Sequence, residues 1–295
     1  MKALAIGLNE IGMLLQNRRT YRGADFLYRL SSTFAPNWSA PWYNRGLIAK
    51  FERRWADSIA FNARATRLNP DNPAAWWNLG IAATAIGEWG KAREAWRHHG
   101  VELPAGEGRP DMDLGPVPIR ICPEENGEVV WCRRLDPARA AILSVPLPES
   151  GRAFRDIVLH DGEPRGSRLL SGREFSVFNE LELLEPGPFS TYLVELSAPS
   201  RGDIVALEQA AAAASCAADD WSALVMLCIA CSEGTPHEHH DRQESEWKPE
   251  RRVGIGAPGE PAARDIVNRW MMTAPGRHVH TIERVFDRDN GGPPA

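Results

Sequence analysis

Lysine is nearly missing from this 295-residue chain: Lys2, Lys50, Lys91 and Lys248 are the only four among 34 basic residues, so arginine carries almost all the positive charge. That bias fits a GC-rich bacterial coding background and says nothing of mechanism. Long apolar runs are missing too. No stretch approaches the roughly 18 residues of a membrane span, and the opening apolar run 3–8 is interrupted by Asn9 and Glu10, which argues against a secretory signal. A cytoplasmic protein without membrane association is expected. The five cysteines, Cys122, Cys132, Cys216, Cys228 and Cys231, are an odd number in a chain long enough to build its own core. A disulfide framework is therefore not expected. Neither a G-x-S-x-G elbow nor a phosphate-cradling P-loop occurs, and no complete catalytic constellation can be assembled, so a non-enzymatic role is favoured.

What is present is unevenly distributed. Residues 1–104 hold 14 basic and 8 acidic side chains, a net of +6, against −11 for the remainder, so the total of −5 conceals a basic front third and an acidic rest. Seven of the eleven tryptophans also lie in that front third: Trp38, Trp42, Trp55, Trp76, Trp77, Trp89 and Trp96.

A 34-residue interval explains the concentration. Gly12, Gly46 and Gly80 keep it, as do Pro36, Pro70 and Pro104; Tyr21, Trp55 and Trp89; Ala24, Ser58 and Ala92; and Leu8, Trp42 and Trp76. Five positions in one register resemble the tetratricopeptide repeat family, whose unit is a helix–turn–helix of about 34 residues. Glycines and small residues let paired helices approach, rings fill the space between them, and prolines stop each second helix.

The resemblance implies a short superhelix over 1–104 whose first helices line a groove for a peptide or protein segment. Carried across by position, the groove residues are Asn9, Met13, Gln16 and Asn17; Tyr43, Asn44, Leu47, Lys50 and Phe51; and Trp77, Asn78, Ile81 and Thr84. Family members that grip a terminal carboxylate need lysines where this chain has Asn9 and Ala74, and an arginine where it has Asn78. After Pro104 the segment 105–116 reads as a linker, leaving the third repeat to be capped by downstream residues or by another copy, hence a possible homo-oligomer.

Beyond the linker, residues 117–121, 129–135, 140–145, 154–160 and 174–184 read as strands separated by turn residues, so 117–188 is expected to be a small all-β barrel or sandwich. Residues 105–189 carry ten Arg, no Lys and fifteen acids, without a basic and aromatic stripe, and nucleic acid is not an expected partner. From 189 to 287 the order is strand 191–197, helix 203–216, strand 221–231, strand 251–257, helix 261–273 and strand 278–286. That β-α-β-β-α-β order is expected to be a ferredoxin-like domain. Residues 288–295 read as a disordered tail. The fold class expected for the whole is multidomain, α followed by α+β.

Two motifs could carry chemistry. The loop Pro236-His237-Glu238-His239-His240-Asp241 follows Cys228 and Cys231, and imidazole, thiolate and carboxylate are the usual ligands of zinc or another transition metal. Cys231, His237, His239, His240 and Asp241, joined by His278 and His280 from the last strand, are the candidate ligands. A solvated polar loop would read the same way. Gly254, Gly256 and Gly259 spell G-x-G-x-x-G, but the preceding residues Arg251 and Arg252 do not suit the apolar parallel strand of a dinucleotide site, and glycines closing an edge strand are expected instead. Asp156, Asp161, Glu180 and Glu182 read as solvated strand ends and Arg201-Gly202-Asp203 as a turn with a helix cap. The leading expectation is an interaction or scaffold protein that binds a peptide, acidic if the basic front third sets the choice, with no cofactor. The alternative is a metal-binding enzyme, or a sensor of a metal or small ligand, built on the histidine loop.

Overall fold

The computed structural model describes residues 1–124, 127–223 and 246–289. The chain divides into two compact units, Met1–Asp113 with Leu135–Arg139, and Leu114–Arg134 with Ala140–Ala295.

The first unit begins with a run of helices: α1 (Lys2–Asn17), α2 (Tyr21–Phe34), α3 (Ser39–Phe51), α4 (Trp55–Leu68), α5 (Pro73–Ala85) and α6 (Trp89–Arg97). The run is compatible with a helical repeat, and the 34-residue interval has physical content at three levels. The turns repeat first. Arg19, Arg53 and Gly87 each take a left-handed backbone with φ of 57°, 55° and 73°, and the residue after each donates its N–H to the carbonyl of Leu15, Ala49 or Ala83. Only the third turn uses the residue for which that conformation is free of strain. The close approaches repeat next. A Cβ built on Gly12, Gly46 or Gly80 would stand 2.6, 2.5 or 2.7 Å from Tyr28, Asn62 or Trp96, so the glycines seat one side chain of the following helix. The ring anchors come last: Trp42 Nε1 donates to the Pro36 carbonyl at 3.3 Å and Trp76 Nε1 to the Pro70 carbonyl at 2.8 Å.

In the second unit β1 (Pro116–Ile121), β2 (Glu128–Arg134), β3 (Arg139–Ile142), β4 (Ile157–Leu170) and β5 (Arg173–Glu185) form a closed barrel in chain order. Parallel pairing of β1 with β5, Ile119 opposite Phe178, closes it. Val117, Ile119, Ile121, Val130, Ile142 and Val158 fill the interior. Five strands lie near their expected places, but β4 runs ten residues past the expected end at His160, because its outer half pairs with β5 as a long hairpin.

The last sheet contains β6 (Ser190–Ser197), β7 (Ala217–Asp220), β8 (Glu250–Ala257) and β9 (His278–Phe286), with α7 (Arg201–Ala213) and α8 (Glu260–Met272) between them in sequence. The strand order is β7-β8-β6-β9, and all the neighbours are antiparallel. A capping box starts α7: Asp203 accepts the Ser200 backbone N–H at 2.9 Å and its hydroxyl at 2.7 Å. Leu196, Leu207, Val253, Ile255, Ile266 and Trp270 form the core.

Two expectations need correction here. The strand expected at 221–231 begins earlier, at Ala217, and Trp221–Ala223 is a 3-10 turn, while 224–231 lie outside the described residues. The glycine-bearing strand is not an edge: β8 lies between β7 and β6. A Cβ on Gly254 would sit 2.3 Å from the Trp221 ring and one on Gly256 2.7 Å from Phe154, so both glycines make room for rings. With both neighbours antiparallel, β8 also lacks the parallel partner of a dinucleotide fold.

Candidate functional site

The thirteen positions assigned to the groove are unequally accessible. Met13, Asn17 and Phe51 are exposed; Gln16, Tyr43, Leu47 and Trp77 are half-buried; Asn9, Asn44, Lys50, Asn78, Ile81 and Thr84 are buried. Three of the buried polar ones, Asn9, Asn44 and Lys50, contact neighbouring side chains. Asn44 donates to Asn9 at 2.9 Å, joining α3 to α1, and the Lys50 ammonium lies 4.9 Å from the Phe51 ring centre. Gln16 accepts the Tyr28 hydroxyl at 2.9 Å. Phe51 stacks on Tyr21 with centroids 6.3 Å apart and remains 39% exposed. Trp77 meets Trp96 edge-on at 4.9 Å and His99 at 4.9 Å. The open part of the set therefore belongs to α1 and α3, with Trp77 contributing from α5.

The third helix pair is contacted by later residues of its own unit. Arg93 on α6 donates to the carbonyls of Pro104 at 3.0 Å and Gly108 at 2.8 Å, which ties the segment expected to be a linker to the helix. Arg139 lays its guanidinium over the Trp89 ring, 4.9 Å from the centroid, and donates to the Pro110 carbonyl.

In the second unit, the segment after β3 is gripped by two carboxylates. Asp219 on β7 accepts the Val145 N–H, Glu128 on β2 accepts the Leu147 N–H at 3.0 Å, and Trp221 Nε1 donates to the Val145 carbonyl at 2.9 Å. Burial pushes the Glu128 carboxyl up to about 7, helped by Asp219 and Glu149, and burial pushes Asp219 up to about 6. Groups raised in the folded state contribute stability that is complete below their unfolded values, 4.5 and 3.8, and is lost as pH rises through the folded ones. At about 1.4 kcal/mol per unit of displacement, Glu128 alone accounts for on the order of 3 kcal/mol. The melting temperature of this unit is expected to fall between pH 5 and pH 8, and Glu128→Gln with Asp219→Asn should flatten that slope while keeping both acceptors. A wild-type profile that is level or rising across that window would refute the assignment.

Of the histidine candidates, Cys231, His237, His239, His240 and Asp241 lie outside the described residues. His278 and His280 are exposed on one face of β9, ring centroids 5.0 Å apart, and both His278 and Glu250 pair with Ser197 across the sheet. Among the described residues no group of three or more His, Cys, Asp or Glu has a metal-holding arrangement. Ser197, His280 and Glu250 also do not make a nucleophilic triad. His280 Nε2 is 2.8 Å from Ser197 Oγ and 3.0 Å from Glu250 Oε2, so both contacts use one nitrogen and no proton can pass through the ring.

Two of the four carboxylates expected at strand ends, Asp156 and Glu180, have structural tasks. Asp156, fully buried, accepts the backbone N–H groups of Ala153 and Gly187 and the Arg288 guanidinium at 2.6 Å. Glu180, also buried, accepts Arg152 at 2.7 Å and the Cys122 N–H at 2.9 Å. Both were expected at solvated strand ends, and their burial, with that of Asp161, overturns that expectation. Arg288 itself, expected to begin a disordered tail, is held by Asp156 and by the Ser190 hydroxyl at 3.1 Å.

A cavity of about 330 Å³ lies where the barrel meets the last sheet, lined among others by Phe154, Arg155, Glu208, Ser215, Cys216 and Asp219. No local signal announces it. Arg155 and Ser215 both adopt left-handed backbone, φ 67° and 58°, at positions where glycine would have been the readable sign. No protein-family model matches the chain, and no curated protein matches it.

Proposed function

We propose that this chain is an interaction protein of the tetratricopeptide-repeat kind, in which residues 1–104 hold a peptide or protein segment against α1 and α3. In this reading 117–188 is a spacer barrel and 189–287 a ferredoxin-like domain that presents a second, acidic surface. The observation that carries the proposal is the uncovered set on successive first helices: Met13 at 42% and Phe51 at 39% exposure, with Tyr43, Leu47 and Trp77 half-buried beside them. Large apolar side chains left open on a helical array are anchors for a partner more readily than they are stabilising elements. The repeat assignment itself rests on the recurrence of turns, glycine contacts and tryptophan anchors at 34 residues. The net charge of +6 over 1–104 favours an acidic segment as partner.

Selection of displayed peptides on the whole protein is the test. Wild type is expected to enrich acidic sequences with apolar anchors, and Met13→Glu/Phe51→Glu, both at exposed positions, should lose the enriched peptides by at least about tenfold in affinity with unchanged circular dichroism. Enrichment that survives the double substitution would place the binding surface elsewhere.

A further inference from the structure

We propose that the cavity between the barrel and the last sheet binds a small free zwitterion of the α-amino acid class, its carboxylate on Arg155 and its ammonium on Glu208. Two opposite charges line the same space without pairing with each other. Arg155, an exposed residue between β3 and β4, makes no ion pair among the described residues; its guanidinium rests over the Phe154 ring at 5.3 Å and the Phe189 ring at 6.0 Å. Glu208 on α7 lines the same cavity and likewise has neither an ion pair nor a hydrogen bond among the described residues.

The surroundings fix which end of a ligand goes where. On the Glu208 side the field is negative: burial pushes the Glu208 carboxyl upward, Asp219 and Asp220 add to it, and the C-terminal end of α7 points the same way. An ammonium is favoured there and a carboxylate is not. Asp220 is neutralised by Arg251 and Asp219 is engaged with the Val145 N–H, so Glu208 is the carboxylate left to contact a ligand. On the other side Arg155 presents a fork suited to a carboxylate, already backed by two aromatic faces. Leu143, Phe154 and Ala212 give the wall an apolar portion for a side chain. A volume of about 330 Å³ is at the small end of ligand pockets, which suits a molecule of amino-acid size.

Thermal-shift measurements on the full chain with the proteinogenic amino acids at millimolar concentration test this, followed by calorimetry on any that act. At least one free amino acid is expected to raise the melting temperature. Its N-acetylated and its amidated forms should not, because each lacks one of the two charges. Arg155→Gln and Glu208→Gln should each weaken binding by about tenfold or more while melting like wild type without ligand. If no free amino acid stabilises the protein, if a blocked form acts as well as the free one, or if both variants keep wild-type affinity, the assignment is wrong. The groove proposal is unaffected by any of these outcomes, since its substitutions lie in the other unit.

Discussion

Asp136→Ala is expected to destabilise the helical unit by about 3–5 kcal/mol, the range for stranding one member of a buried ion pair. Asp136 and Arg139 are each 1% exposed. One carboxylate oxygen accepts the backbone N–H groups of Ala138 and Arg139, both at 2.8 Å, and the other accepts Arg139 Nε at 2.7 Å. Removing the carboxylate leaves a guanidinium enclosed against Trp89 and two backbone donors unsatisfied. Arg139 Nη1 already lacks a hydrogen-bond partner. The charge is the problem rather than the shape. Asp136→Asn/Arg139→Met, which removes both charges and keeps a long apolar side chain over the ring, should therefore recover most of the loss. Urea unfolding monitored by tryptophan fluorescence measures both. A double variant as unstable as Asp136→Ala would mean that the pair's geometry, not its uncompensated charge, is what the unit needs.

Trp96→Ala is the second large effect, about 3–5 kcal/mol for emptying a fully buried aromatic position. Trp96 is 0% exposed, fits over Gly80 and meets Trp77 edge-on, so its loss opens a void between α5 and α6 that two rigid helices cannot close. The reverse change, Gly80→Ala, drives a methyl to 2.7 Å from the same ring and should cost about 1–3 kcal/mol despite alanine's better helix propensity. The two changes are coupled, because the added methyl occupies part of the space that the indole vacates. Gly80→Ala/Trp96→Ala is expected to lose less than the sum of the single losses, and strict additivity would show that the two residues do not share that space.

Much of the helical unit was legible because close packing constrains residue type: glycine at 12, 46 and 80, and a large ring at 42 and 76. What each glycine packs against was not, because Tyr28, Asn62 and Trp96 have nothing in common beyond position. The strands of the barrel were readable from their apolar runs, whereas the parallel contact of β1 with β5 joins segments far apart in sequence. The short strand β7 was missed for a different reason. Ala217-Ala218-Asp219-Asp220 has no β-branched or aromatic residue, and pairing with β8 imposes its conformation. Candidate groove positions on α5 such as Ile81 and Thr84 could be named from the repeat register, yet their burial depends on contacts that no local pattern encodes. The cavity depends on Arg155 and Ser215 in backbone conformations that their residue types do not advertise.

The glycine contacts bear on how such an array can change in copy number. Gly12 is matched to Tyr28, Gly46 to Asn62 and Gly80 to Trp96, three fits of different volume made at the same separation. A duplication or deletion with break points between pairs carries each glycine along with its own partner and leaves every fit intact. A break point inside a pair sets Gly46 against Trp96 or Gly80 against Asn62, exchanging a snug contact for a clash or a hole. Recombination in this part of the gene is thus tolerated in one phase of the 34-residue frame and penalised in the others, which makes the helix pair, and not the single helix, the heritable unit.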